Sequence, residues 1–411
     1  MTTIEAQTPE AQQPVADERF GAVVREYFDR LRAGQVGSLP VIVGLIAIGI
    51  FFGSKNSNYL TAANFNNLIV QMAAVTIIAI GVVFVLLIGE IDLSIGYVSG
   101  IGGVTVALLQ QPGKSYQISG IAAIIVAVAV GACIGAFQGS FVAVLGVPSF
   151  VVTLAGLLIA QGVILRAIGI QGVITIQDTR VNDMANYYFS DRAGWIIATI
   201  FAAGYAASVL LGVVSRWRSG VKISHPVLLA LRIALVCGAC YVVVAICNHS
   251  FGLPFAGLLI VILLVFWTYV AKRTTFGRHV YAVGGSAEAA RRAGINVKRI
   301  RILVFMISSS MAALGGVVFA ARLSSVDLSA GGGTILLDAI SAAVIGGVSL
   351  FGGRGEVKAA LLGSLLIAAI ANGIDLVGYS DSTKFIVTGA ILLAAVTLDT
   401  VLRRRQAAAG R

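Results

Sequence analysis

Two carboxylates, Glu90 and Asp92, interrupt an otherwise apolar stretch in the run Gly89-Glu90-Ile91-Asp92-Leu93-Ser94. A carboxylate at the centre of a bilayer costs about 2.5–3.5 kcal/mol on insertion scales, so each needs a partner, water or a helix N-terminus. Asp92 either caps the helix that opens after Leu93-Ser94 or lines a polar pathway, and the two roles are compatible. The amides Gln71, Gln138, Gln161 and Asn372 also lie inside apolar blocks. An amide offers both donors and acceptors, as a hydroxylated solute requires. The alternative is a hydrogen bond between helices, worth roughly 0.6–2 kcal/mol. Gln71 fits that alternative, and both readings stay open for Gln138, Gln161 and Asn372. Phe150, after Pro148-Ser149, offers an apolar or stacking face to a pathway, or packs in the core.

Other chemistry finds little support. Gly113-Lys114-Ser115 imitates the end of a phosphate-binding loop, but Leu108 stands where its first glycine belongs and Pro112 precedes Gly113. Nucleotide hydrolysis is therefore not expected on this chain. His225, His249 and His279 are too scattered for a metal site. Cys237 and Cys240 form a C-x-x-C inside an apolar run, which reads as packing, because thiol chemistry needs an aqueous, electropositive setting. No nucleophile, base and orienting group come together as an enzyme would require, and no cofactor is expected.

The interval 272–301 is the longest polar stretch between apolar blocks in the second half of the chain. It carries Lys272, Arg273, Arg278, Arg291, Arg292, Lys298, Arg299 and Arg301 against one acid, Glu288. The spacing predicts a short helix over 286–293. Ser286 is a suitable N-cap. Glu288 falls in the first turn and Arg291 and Arg292 in the last, where the helix dipole favours each sign. Gly294 supplies a left-handed exit. So short a helix is unstable alone in water. Either it is a solvated basic loop, or flanking spans and a docked partner hold it.

The elements that must position these residues are membrane spans. Of 411 residues, 58% are hydrophobic and 11% charged, with a mean hydropathy of +0.95. Soluble domains carry about 25% charged residues. The expected fold class is all-α: a polytopic membrane protein in the lipid bilayer, with about 10–12 transmembrane helices, some short or discontinuous. Abundant glycine suits close helix approach in lipid. The net charge of +11 follows if Lys and Arg gather on the cytoplasmic face, and needs no nucleic acid.

About twelve apolar blocks are visible at roughly 20 residues per crossing. The expected division is a polar and basic cytoplasmic tail over 1–38, a membrane domain over 39–402 and a basic cytoplasmic tail over 403–411. The first tail lacks the apolar core of a cleavable signal peptide. Its arginines, Arg19, Arg25, Arg30 and Arg32, place the N-terminus inside. The loops then alternate. Arg216, Arg218 and Lys222, the 272–301 interval, Arg354 and Lys358, and Arg403 to Arg405 fall on the inside. Losing a consecutive pair of spans keeps this alternation, so ten crossings also satisfy it. Three blocks, over 93–109, 149–168 and 334–350, are short or opened by Gly or Pro. Irregular backbone at membrane depth is tolerated only where protein buries it or it lines a wet cavity.

These motifs resemble the permease subunits of ABC-type monosaccharide importers, the ribose, xylose and arabinose group. The resembling stretches are Gly89 to Gly96, Gly135-Ala136-Phe137-Gln138-Gly139, and Val147-Pro148-Ser149-Phe150 on to Leu154. More specific are Thr275-Phe276-Gly277-Arg278-His279 on to Arg299, and Asp338-Ala339-Ile340 on to Gly352-Gly353-Arg354-Gly355. A further pair of spans over about 216–252 resembles the xylose-type members in particular. Ser286 stands where the family often has Asn.

The resemblance implies that the 286–293 helix docks into an ABC ATPase subunit. Arg278, Ser286, Glu288, Arg291, Arg292 and Gly294 would then form the coupling element, and 272–301 the cytoplasmic coupling loop. It implies a periplasmic sugar-binding protein outside and a second permease subunit, as a homodimer, in a bacterial inner membrane with both termini cytoplasmic. The substrate pathway would draw on Glu90, Asp92, Gln138, Phe150, Gln161 and Asn372. A different class of protein, a secondary transporter carrying protons on Glu90 or Asp92, would also place acids at depth.

Overall fold

The computed structural model describes residues 39–220 and 226–408. The expected tail over 1–38 with its arginines, Lys222, His225 and the last residues 409–411 lie outside the described residues. All twelve apolar blocks are helical. In chain order they are α1 (Leu39–Lys55), α2 (Ala62–Leu87), α3 (Ile95–Leu109), α4 (Gly120–Ser140, extended by a π-turn over Phe141–Leu145) and α5 (Ser149–Ile168). After the strand β1 (Val173–Thr175) and the short helix α6 (Thr179–Asn186) come α7 (Asp191–Arg218), α8 (Pro226–Asn248) and α9 (Phe255–Arg273). Then follow α10 (Thr275–Gly285), α11 (Ala287–Arg292), α12 (Val297–Leu323), β2 (Ser325–Asp327), α13 (Ile335–Ile345), α14 (Lys358–Val377) and α15 (Asp381–Ala408). Eight of the described helices are long and apolar enough to cross a membrane. The first part of the expected C-terminal tail continues α15.

The core is built on α2 and α12. At 1.5 Å per residue, the 26 residues of α2 rise about 39 Å, more than a bilayer's hydrocarbon thickness. From Ile77 to Leu87 it is buried on every face, so it has no lipid-facing side there. Helix α12 packs most extensively against α4, α2 and α3. Small residues make this possible. A Cβ at Gly135 would strike the Phe305 carbonyl, and one at Gly316 the Ser99 carbonyl. Backbones meet there without side chains between them, which is how helices associate in lipid.

Contacts between loops define two ends. At one end Lys272 meets Glu356 and Glu90 meets Arg301. At the opposite end β1 and β2 pair antiparallel, with Ile174 opposite Val326, and Asn56 donates to the Leu376 carbonyl. Among the described residues the interval 216–252, expected to hold a pair of spans, holds one, α8, because α7 ends at Arg218. Helix α8 packs on α7 at the periphery, and Asn66 of α2 fixes its end by donating to the carbonyls of Cys247 and Gly252. Cys237 and Cys240 are free thiols on α8.

Two helices start part-way through the bundle. Helix α3 has only 15 residues and α13 only 11. The segment before α13 lies against the first turns of α3. Gly331 has φ +77°, and a Cβ on it would lie 2.7 Å from the Gly100 nitrogen and 2.9 Å from the Tyr97 Cα. Only glycine combines that left-handed backbone with so close an approach.

Candidate functional site

The interval 272–301 is more helical than its charge suggests. Helix α9 runs on to Arg273, and Thr274 caps α10 by accepting from the Gly277 N–H at 3.2 Å. Helix α10 was not expected from the sequence. It forms because Phe276, Val280, Tyr281 and Val283 supply an apolar face to the bundle, while the exposed Arg278 sits on the other side. Ser286 then caps α11, its hydroxyl accepting from the Ala289 N–H at 3.2 Å. Glu288 pairs with Arg291 at 3.2 Å and with Arg292 at 3.1 Å. Exposed pairs of this kind contribute less than about 1 kcal/mol, so the arginines stay available to a partner. Gly294, at φ +82°, turns the chain back, and the Ile295 N–H reaches the Ala290 carbonyl at 3.0 Å. Ala290 alone is buried on this helix. The result is an exposed cationic turn pinned by one small residue.

This element is tied to the bundle by charge and by backbone. Lys272 Nζ lies 2.8 Å from Glu356 Oε1, and Lys358 Nζ 2.6 Å from Glu356 Oε2. Burial opposes ionisation of Glu356, but the two ammonium groups outweigh it and hold the carboxyl below its ordinary range. The Tyr281 hydroxyl donates to the Gly355 carbonyl at 2.8 Å. Burial, reinforced by Glu356, pushes that phenol up. Gly284 abuts the Leu87 carbonyl, and the Gly353 N–H donates to the same carbonyl at 2.8 Å.

The acids flagged in the sequence have separate partners. Glu90 Oε1 lies 3.2 Å from an Arg301 guanidinium nitrogen, a pairing across the chain that sequence spacing does not reveal. Asp92 is buried, and its partners are hydroxyls and an amide. Its Oδ1 accepts from the Ser94 N–H at 3.0 Å and lies 2.6 Å from Ser94 Oγ, while Oδ2 accepts from Ser308 Oγ at 3.1 Å. Asp92 thus closes a turn ahead of α3; the N-cap is Ser94, which makes no side-chain cap bond. Gln138 Oε1 lies 3.0 Å from the same Ser94 Oγ, and its amide nitrogen faces Gly156 of α5. Asp92, Ser94, Gln138 and Ser308 therefore form one buried polar cluster where α3 begins.

The other expected pathway residues lie apart. Phe150 is exposed at the start of α5, and Gln161 is half-buried further along it. Gln161 stands five residues beyond Gly156, about 140° round the helix at 3.6 residues per turn. Asn372 is buried and exchanges two amide bonds with Asn64, at 2.8 and 3.0 Å, which fastens α14 to α2. A cavity of about 190 Å³ opens beyond the start of α3, bounded by Ser99, Gly100, Phe319, Ser325, Asp327 and Gly331. None of the expected pathway residues lines it. The short or Gly-opened blocks over 93–109 and 334–350 are the sequence signal that lies beside it. Among the described residues no cluster of His, Cys, Asp and Glu could hold a metal ion.

The chain is similar in sequence to known proteins over most of its length. Residues 64–396 match the family described as branched-chain amino acid transport system / permease component. The chain is 36% identical to the xylose transport system permease protein XylH of Escherichia coli K12 over 344 residues, 83% of this chain and 86% of that protein. It is 30% identical to the ribose import permease protein RbsC of the same strain over 346 residues, 84% of this chain and 86% of the relative. A shorter stretch of 116 residues is 45% identical to the probable ABC transporter permease protein YphD, covering 28% of this chain and 35% of that one. No solved structure matches. With a family match that runs through most of the helical bundle, the chain belongs to the branched-chain amino acid transport system permease component family, whose members are membrane permeases and not enzymes.

Proposed function

We propose that the chain is the membrane-spanning subunit of an ATP-driven importer that carries a monosaccharide, a pentose such as xylose, into the cytoplasm. Two relatives similar over most of its length are named for xylose and ribose. The observation that carries the reading is the short helix α11. It is capped by Ser286, closed by Gly294 and exposes Arg291 and Arg292 on the end that also bears Lys272 and Lys358. A helix of six residues gains little from its own hydrogen bonds, so its use is to be gripped. A separate ATPase subunit docks on it, with Arg278, Glu288, Arg291 and Arg292 as contacts. This end, with both termini, faces the cytoplasm of a bacterial inner membrane. A periplasmic sugar-binding protein delivers cargo to the opposite end, and a second copy of the chain completes the pathway. Closure of the ATPases switches the pathway from outward to inward access.

Within the pathway, Asp92 and Gln138 set the polar character where α3 begins, and Phe150 and Gln161 on α5 face outward to be covered by the second copy. Glu90 and Asn372 are engaged with Arg301 and Asn64, and act by holding the helices that line the route. A second reading is a proton-coupled transporter. It is favoured by Asp92, a buried carboxylate with no cation among its hydrogen-bonded partners in the described residues. The family match and the cationic turn weigh against it.

Reconstitution in proteoliposomes tests the choice. Uptake of labelled xylose should require the ATPase, ATP and the binding protein together. Reversing Arg291 and Arg292 to Glu should remove most uptake while the chain stays folded. Uptake by the purified chain on a pH gradient alone would reject the importer reading.

A further inference from the structure

The segment 87–94 touches the coupling element twice. On the side before α11, Gly284 abuts the Leu87 carbonyl, and two residues later Ser286 caps α11. On the side after α11, Asn296 caps α12, its side chain accepting from the Arg299 N–H at 3.0 Å. Arg301, in the first turns of α12, then reaches Glu90 at 3.2 Å. The six-residue helix is thus bracketed by two contacts to one short piece of chain. That piece continues through Asp92 to Ser94, where α3 begins, and α3 carries Ser99 and Gly100 of the cavity.

The two contacts differ in kind. At Gly284 two backbones meet with no side chain between them. A Cβ there would strike the Leu87 carbonyl and lie 2.7 Å from the Gly353 nitrogen. This joint resists compression and cannot repack. The other contact is a single charge-assisted bond. Only one Arg301 nitrogen reaches Glu90, and Arg301 Nε is buried with no hydrogen-bond partner among the described residues. Carboxylate and guanidinium usually close as a fork with two parallel bonds. A one-point contact between half-buried charges holds position, yet breaks and reforms more readily than the fork.

We propose that Glu90 and Arg301 are positioning residues that transmit displacement of α11 to the start of α3, so that docking at one end resets the cavity lining. The inference rests on the importer reading given above. The pair pulls the 87–94 segment when α12 moves with α11, while the Gly284 joint pushes it. Neither residue needs to touch the sugar or the ATPase. Coupling of this sort requires an element biased from both sides, and the 87–94 segment meets both helices that flank α11, at Gly284 and at Arg301, and leads directly into α3.

The test uses the whole complex, with its ATPase and sugar-binding protein, in proteoliposomes, and records sugar imported per ATP hydrolysed. Glu90→Arg and Arg301→Glu should each lower that ratio at least ten-fold while the ATPase still copurifies and hydrolyses ATP. The double exchange should restore it to within about three-fold of the parent. A merely structural role would lower import and hydrolysis together and leave the ratio unchanged, which overturns the proposal. So does a double exchange no better than either single change. Should the reversals fail to accumulate in the membrane, Glu90→Gln, which keeps the shape, carries the test. A several-fold lower ratio supports transmission, and an unchanged ratio overturns it. If the parent complex shows no ATP-dependent import, the importer reading itself has failed, and that outcome is distinct.

Discussion

Lys272 and Glu356 lie 2.8 Å apart and join the last turn of α9 to the loop that leads into α14. Together with Lys358 they form a three-charge network at the end of the bundle that bears α11. Burial raises the cost of charging Glu356, and the two lysines more than offset it, so its carboxyl titrates below the ordinary glutamate value of 4.5. The sign follows from linkage. A carboxyl depressed in the folded state contributes stability that is present above its unfolded pKa and is lost as pH falls through the folded one. The parent protein should therefore lose thermal stability as pH drops below about 4.5, and Glu356→Gln should flatten that decline. Melting curves in detergent between pH 3 and 7 check this, and an equally steep decline in the variant would refute it. Both lysines are substantially exposed, so the effect at neutral pH should be small.

Removing the cap of α11 tests whether the turn is preorganised. Ser286→Ala deletes the acceptor for the Ala289 N–H, at a cost of about 1 kcal/mol. In so short a helix that is enough to fray it. Hydrogen exchange at Ala289 and Ala290 should quicken roughly five-fold, as about 1 kcal/mol implies, with the spans unaffected. Ser286→Asn, which keeps an acceptor, should restore protection.

The glycines divide into those that carry a helix contact and those that do not. A Cβ at Gly316 has the Ser99 carbonyl in its way, whereas one at Gly204 on α7 meets nothing within 4 Å. Gly316→Ala should destabilise the bundle by about 1–3 kcal/mol, the range for overpacking. Gly204→Ala should be neutral or slightly stabilising, because alanine is the better helix former by up to about 1 kcal/mol. Thermal unfolding of the two variants, side by side, measures the contrast.

Asn372 and Asn64 exchange both halves of their amides. Asn372→Ala leaves Asn64 without that partner and should cost about 0.6–2 kcal/mol. The expected signature is a lower melting temperature with the KM for sugar unchanged within two-fold. A large rise in KM without loss of stability would instead place Asn372 on the solute route.

Much of this architecture is legible because membrane spans announce themselves. A run of some 20 apolar residues admits little else than a crossing, and every such block is a helix here. The cap at Ser286, the first-turn Glu288 and the exit at Gly294 are local features, set by residues within one turn of each other, so spacing reveals them. Helix α10 escaped because Arg278 and His279 interrupt its apolar positions, and the charge masks a face that the bundle buries. The partners of Glu90 and Asn372 escaped for another reason. Arg301 and Asn64 are distant in the chain, and nothing in either local run names the other. The cavity was half visible. Its glycines read as breaks, but a lone Ser99 or Ser325 in an apolar neighbourhood gives no periodic signal.

Asp92→Asn separates the two readings of the buried cluster. The carboxylate accepts from Ser94 N–H and from the hydroxyls of Ser94 and Ser308. An asparagine keeps one acceptor oxygen and exchanges the other for a donor, so it loses charge-assisted bonds worth about 1.5–3 kcal/mol. It also removes a charge at depth, whose cost on insertion scales is about 2.5–3.5 kcal/mol. These two effects nearly cancel, so the variant should fold and melt within a few degrees of the parent. If Asp92 shapes the start of α3, ATP-driven uptake should persist within about ten-fold, because that loss corresponds to roughly 1.4 kcal/mol of misplacement, and its pH profile should not move. If Asp92 carries protons, uptake should vanish and any pH-driven exchange with it. Uptake measured from pH 5.5 to 8 in both proteins decides between a carboxylate that holds a turn in place and one that works as a carrier.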